Sequence, residues 1–122
     1  MRLARTLLAA FFAFAGALHF ARPRPYEAIV PPPLAPRRRE IVAISGAAEL
    51  AGAALLVPRS SRRLGRWWLL ALLLAVFPAN VHMAINPEQI EGVGLHRVPR
   101  WMLWARLPLQ PLAMVWVWRA TR

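Results

Sequence analysis

Apolar residues run along the chain in four long blocks, at about 3–21, 41–57, 67–86 and 101–118, separated by stretches rich in proline and arginine. Each block holds roughly 17 to 20 residues, the length a helix needs to cross about 30 Å of hydrocarbon at about 1.5 Å per residue. A soluble helical bundle repeats a polar stripe every three to four residues along each helix. These blocks show none, and their few polar residues are isolated. The pattern predicts a single domain of residues 1–122, an all-α integral membrane protein built as an antiparallel four-helix transmembrane bundle.

The connections fit that expectation. Residues 21–40 contain Pro23, Pro25, Pro31, Pro32, Pro33 and Pro36, which exclude one continuous helix. A short amphipathic piece is compatible with residues 26–30. The second link, 58–66, is short and basic, as antiparallel neighbours require. The third, 86–100, carries Pro87, Gly92, Gly94 and Pro99. Arg2 and Arg5 ahead of an apolar stretch, with small residues at Ala13 and Ala15, resemble a secretory signal. The apolar run continues through Phe20, so a retained first span is expected.

Composition sharpens the picture. Of 122 residues, 58% are hydrophobic and only 17% charged, against about half and a quarter in soluble domains. All 16 basic residues are arginine and all five acids are glutamate, for a net charge of +11. Such a charge would suit nucleic acid if it formed one basic face. Here the arginines flank apolar blocks, as they do around membrane spans, so no nucleic-acid partner is expected and the lipid bilayer is. The absence of cysteine removes disulfides, thiolate metal sites and thiol redox chemistry.

With four spans, both termini and the second link share one side. Eight arginines fall there (Arg2, Arg5, Arg59, Arg62, Arg63, Arg66, Arg119, Arg122) and seven on the other. The compact basic link tips the positive-inside balance toward cytoplasmic termini in a bacterial inner membrane, with Ser60 and Ser61 inside and Ala35 and Val93 outside. Trp67, Trp68, Trp116 and Trp118 should mark one interface, and Trp101 and Trp104 the other.

Candidate chemistry lies in polar residues at membrane depth. Measured from each block's midpoint, Glu49 and Gln110 lie near the midplane. Asn80 and Arg106 lie roughly 5 to 6 Å toward the side away from the termini, and His82 and His19 roughly 8 to 10 Å that way. Intramembrane ionisable groups are costly and face the bundle interior in partnership. Glu49 is the sole acid within a block and Arg106 the sole deep base, so a Glu49–Arg106 ion pair is expected, with Gln110 or Asn80 hydrogen-bonding to it. Ser45, Gly46, Glu49 and Gly52 or Ala53 share one helical face, where small residues allow close approach of a neighbour. Pro108 and Pro111 free backbone carbonyls beside Arg106 and Gln110. The six residues His19, Glu49, Asn80, His82, Arg106 and Gln110 form the expected polar pocket. No catalytic set or metal-ligand spacing accompanies them. Against that stands a plainer reading, in which they only lock helix positions.

The strings Gly16-Ala17-Leu18-His19-Phe20, Pro25-Tyr26, Ile29-Val30-Pro31-Pro32, Ser45-Gly46-Ala47-Ala48-Glu49, Phe77-Pro78-Ala79-Asn80-Val81-His82-Met83 and Arg106-Leu107-Pro108-Leu109-Gln110 resemble, in order and spacing, the DoxX-like family of small bacterial four-span membrane proteins. The resemblance covers nearly the whole chain. It implies a four-helix membrane bundle and a loose association with respiratory or redox systems, with a quinone as conceivable ligand and an oxidoreductase subunit as conceivable partner. The alternatives are an assembly protein without ligand and a small proton-coupled transporter using Glu49. Stand-alone enzyme activity is not indicated by any motif.

Overall fold

The first apolar run folds as α1 (Arg2–Ala21), rich in Ala and Leu, the best helix formers, and free of internal proline. The computed structural model describes residues 2–85 and 99–122. Proline stops α1 and restarts the chain as α2 (Pro23–Ala28), with Pro23 in the first turn, where its missing N–H costs nothing. Pro31 is extended, and a 3-10 turn follows over Pro32–Arg37. Next come α3 (Arg38–Leu55), a second short 3-10 turn at Arg59–Ser61, α4 (Arg62–Ile85) and α5 (Arg100–Ala120). The described residues contain no strand. The third connection, with Val93, falls outside them.

The helices overrun the apolar blocks. α3 begins at Arg38 rather than residue 41, and α4 at Arg62 rather than 67. Arginine propagates a helix almost as well as leucine, so hydropathy marks the apolar part of each helix and not its ends. Ser61 closes the α3–α4 link by donating from Oγ to the carbonyl of Leu55 at 2.8 Å, one of the acceptors left unpaired where α3 stops.

The four long helices pack around a ring, each against two neighbours: α1 on α3, α3 on α4, α4 on α5, and α5 on α1. Residue pairings run antiparallel: Leu8 packs with Leu56 in one buried cluster, while Gly16 meets Gly46 further along. At the end bearing the termini, a core of Leu8, Phe12, Ala53, Leu56, Leu69, Leu73, Val117 and Ala120 fills the bundle. Arg66 ties that end together, donating from Nε to Thr121 Oγ1 at 2.9 Å and from Nη2 to the Thr121 carbonyl at 2.6 Å, with its guanidinium 4.8 Å over the Trp118 ring. Trp67 of α4 meets Trp118 of α5 edge-on at this end, while Trp101 and Trp104 lie at the start of α5, the other end of that helix. A smaller core of Met83, Ala84 and Leu103 lies at the opposite end, against Ala28, Ile29 and Leu107.

Large apolar side chains cover much of the outer surface as well as the two cores, and a few polar side chains lie inside. His19, Gln110 and Thr121 are buried, while Phe11, Phe14, Ile44, Leu74, Trp101, Leu109 and Leu112 face outward. Two helical stretches, Leu3–Ala21 and Arg59–Ile85, are long and apolar enough to cross a membrane. In each, 22% of the most apolar window is buried inside the protein. α3, with Glu40 and Glu49, and α5, with Arg106 and two prolines, do not reach the same hydropathy.

Candidate functional site

Between the two apolar clusters, on the side away from the termini, lies a partly open cavity of about 250 Å³. Its roof comes from the proline-rich connection through Tyr26, Ile29, Val30, Pro31 and Leu34. Its walls come from α1, α3, α4 and α5 through His19, Ser45, Glu49, Asn80 and Arg106, with Val42, Val76 and Pro78 supplying apolar surface.

The α1–α3 crossing creates one polar corner. A methyl group at Gly46 would stand 2.6 Å from His19 Cβ and 2.8 Å from the Phe20 ring, so only glycine lets α1 come this close. That approach sets His19 Nδ1 3.2 Å from Glu49 Oε2. The same nitrogen lies 2.7 Å from the carbonyl oxygen of Ala15, which can only accept. Nδ1 therefore carries a hydrogen, and in the neutral ring Nε2 is the acceptor. With Nδ1–H directed at Ala15, the buried Glu49 Oε2 is left without a hydrogen-bond donor of its own. Its 3.2 Å approach to His19 Nδ1 becomes an ion pair only when the imidazole is protonated.

Tyr26 lies flat on the imidazole, ring centres 3.9 Å apart and planes 21° from parallel. Burial raises its phenol above the ordinary value, the Glu49 charge adds to the rise, and Arg106 opposes it. The hydroxyl thus stays protonated at neutral pH and is available as a donor. It is the sole tyrosine of the chain.

The other polar corner is set by Gln110. Buried on α5, it donates through Nε2 to the Leu73 carbonyl of α4. A carbonyl accepts only, so Gln110 must present Oε1 to Asn80, whose Nδ2 donates to it at 2.7 Å. That chain turns the amide of Asn80 into a fixed feature of the cavity wall. Arg106, exposed on α5, places Nη1 3.8 Å from Met83 Sδ, a weak contact that leaves most guanidinium donors uncommitted.

Of the six expected pocket residues, four (His19, Glu49, Asn80, Arg106) line the cavity together, and Gln110 stands behind Asn80 as its support. His82, half-buried on α4, is not part of the wall. The expected Glu49–Arg106 ion pair does not form: Glu49 pairs with His19. The reason is topological. α3 and α5 sit diagonally in the ring, with the cavity between them, whereas α1 crosses α3 at the glycine contact. Tyr26 was missed as a site residue because it lies outside every apolar block. Its uniqueness and its place in the amphipathic piece at 26–30 were the available signals.

A family model described as Domain of unknown function (DUF8561) matches residues 8–121. No curated protein and no solved structure matches the chain.

Proposed function

The chain belongs to the family described as a domain of unknown function, DUF8561, and from its cavity we propose that it is a four-span membrane protein that holds a quinone-like head group, as an accessory subunit of a redox or respiratory system in a bacterial inner membrane. The observation that carries this reading is the cavity itself: about 250 Å³ of space with apolar walls and four convergent polar groups, Tyr26, Glu49, Asn80 and Arg106. A cluster that only locked helices together would be close-packed. A cavity of roughly 150 Å³ accepts benzene, so this one has room for a substituted ring. The Tyr26 hydroxyl, the Arg106 guanidinium and the Asn80 amide supply donors for two carbonyl oxygens. Glu49 beside His19 supplies a site where a proton can be held or released.

Two features support the membrane setting: the apolar outer surface of all four helices, and the length and hydropathy of α1 and α4. The likeness to DoxX-like proteins supports the same architecture and, more loosely, the redox association. The partner oxidoreductase would supply the electrons; the role proposed for this chain is binding and proton exchange.

Titrating a short-chain quinone into the detergent-purified protein, with quenching of the six tryptophans as readout, tests the reading. Saturable binding is expected. Asn80→Leu should bind about ten-fold more weakly, the worth of roughly one hydrogen bond to a carbonyl. No saturable quenching by wild type, or an Asn80→Leu variant that melts earlier yet binds equally, would show the cluster to be structural.

A further inference from the structure

The hydrogen-bonding groups of the cavity are sorted by wall. On the α1–α3 side stand His19 and Glu49, and on the α4–α5 side Asn80 and Arg106. On the first wall, His19 Nδ1 carries its hydrogen toward the Ala15 carbonyl 2.7 Å away. The nitrogen left for a ligand is Nε2, an acceptor in the neutral ring. Glu49 turns Oε2 into the protein, buried beside His19 Nδ1, which leaves Oε1 as the oxygen it can offer the cavity. An ionised carboxylate also accepts only. Tyr26, stacked on His19, has a hydroxyl that both donates and accepts and so does not set the polarity of this wall.

On the opposite wall the Arg106 guanidinium donates only, and its contact with Met83 Sδ at 3.8 Å is weak. Asn80 Nδ2 spends one hydrogen on Gln110 Oε1 at 2.7 Å and keeps a second. Because α1 packs on α3 and α4 on α5, the two walls face each other across the cavity, with Val42, Val76 and Pro78 lining it between them. A cationic ligand would suit Glu49 and meet Arg106 opposite. An anionic one would suit Arg106 and meet Glu49. A quinone is neutral but carries carbonyl oxygens alone, so the one turned to His19 and Glu49 sets lone pairs against lone pairs. Its hydroquinone has O–H groups at the same two places. One hydroxyl donates to the first wall, and the oxygen of the other accepts from the second.

We propose that the cavity is selective for the reduced, hydroquinone form of its ligand, with one hydroxyl donating to the Glu49–His19 corner and the para oxygen accepting from Arg106 and Asn80. The ring between them lies against the apolar walls. This selectivity rests on the quinone-site reading above and names the oxidation state that the site holds. It concerns binding alone, with the redox state of the ring set elsewhere.

The experiment uses the full chain in mild detergent, titrated under argon with a short-chain quinone, its hydroquinone, and the hydroquinone methylated on both oxygens. Heats of binding are followed by calorimetry. A chain without cysteine tolerates the reductant that keeps the ring reduced. The hydroquinone should bind at least about ten-fold more tightly than the quinone, the worth of a hydrogen bond to a charged acceptor. The midpoint potential of the bound couple should then lie about 30 mV or more above that of the free couple, by the two-electron conversion. The dimethyl ether fills the same ring space without a donor and should bind no better than the quinone. Glu49→Gln, whose amide can turn an N–H toward the ligand, should remove most of the preference. His19→Phe keeps a ring against Tyr26 without the acceptor and repeats the test if Glu49→Gln folds poorly. Asn80→Leu acts on the donor wall and should weaken both forms alike, leaving their ratio intact. Equal affinity for the two forms, tighter binding of the quinone, or a dimethyl ether that matches the hydroquinone would overturn the selectivity and leave the quinone site standing. So would a preference that survives both Glu49→Gln and His19→Phe. Absence of binding by every form would overturn the site itself.

Discussion

At the scale of single residues, the cavity depends on which side chain stands next to which charge. Glu49 and Arg106 are the obvious partners by sign and depth, yet the contact made is between Glu49 and His19. A double-mutant cycle separates the two arrangements. His19→Asn with Glu49→Gln should show a coupling of about 1 kcal/mol in melts of the purified protein, within the range for residues in direct contact. Arg106→Gln with Glu49→Gln should be additive within about 0.5 kcal/mol, as for residues with no shared partner. The reverse ranking would restore the Glu49–Arg106 pair and with it a different cavity. Gln110 shows the opposite case. Its buried amide is held at both ends, by the Leu73 carbonyl and by Asn80, so it contributes orientation to the site without entering it.

At the scale of helices, the α1–α3 crossing is the element that creates the site. Glycines face each other across it, and the backbone oxygen of Gly46 would lie 2.9 Å from a Cβ at Gly16. Gly46→Ala must push against His19 Cβ, which cannot give without moving α1, and against the exposed ring of Phe20, which can turn aside. A loss of about 2 kcal/mol is expected from such overpacking, seen as a drop of several degrees in melting temperature. Quinone binding should fall with it, since His19 moves with α1. A Gly46→Ala protein as stable as wild type would show that the helices do not cross this closely. The proline-rich connection is the second decisive element. Its prolines prevent a long helix and instead fold α2 and a 3-10 turn back over the bundle, which is how Tyr26 reaches the imidazole of His19.

At the scale of the whole molecule, large apolar side chains lie on the outside and a polar cluster within, and the membrane setting proposed above carries a prediction of topology. Four antiparallel helices place Ser60 at one end and Pro33 at the other, both exposed. With no native cysteine, single cysteines report topology directly. In intact cells an impermeant thiol reagent should label Pro33→Cys and leave Ser60→Cys untouched until the membrane is opened. Labelling of Ser60→Cys alone would reverse the orientation, and labelling of both in intact cells would defeat the four-span arrangement.

The approximate positions of the four long helices, and the place of each polar residue along its helix, could be read from the chain, because hydropathy and proline act locally and along one dimension. The apolar blocks marked α1, α3, α4 and α5, and the shared face of Ser45, Gly46 and Glu49 marked a close crossing before its partner was known. What required the tertiary structure was adjacency around the ring. Depth along a helix says nothing of which helix stands next to it, and a bundle of four has both neighbours and diagonals. Placing α1 beside α3 brought His19 to Glu49, and placing α5 diagonally left Arg106 across a cavity from the acid. The roof lay beyond sequence reasoning for a related reason. Tyr26 sits in an amphipathic piece too short for its phase to name a partner helix, and only the fold of the prolines around it carries its ring onto the site.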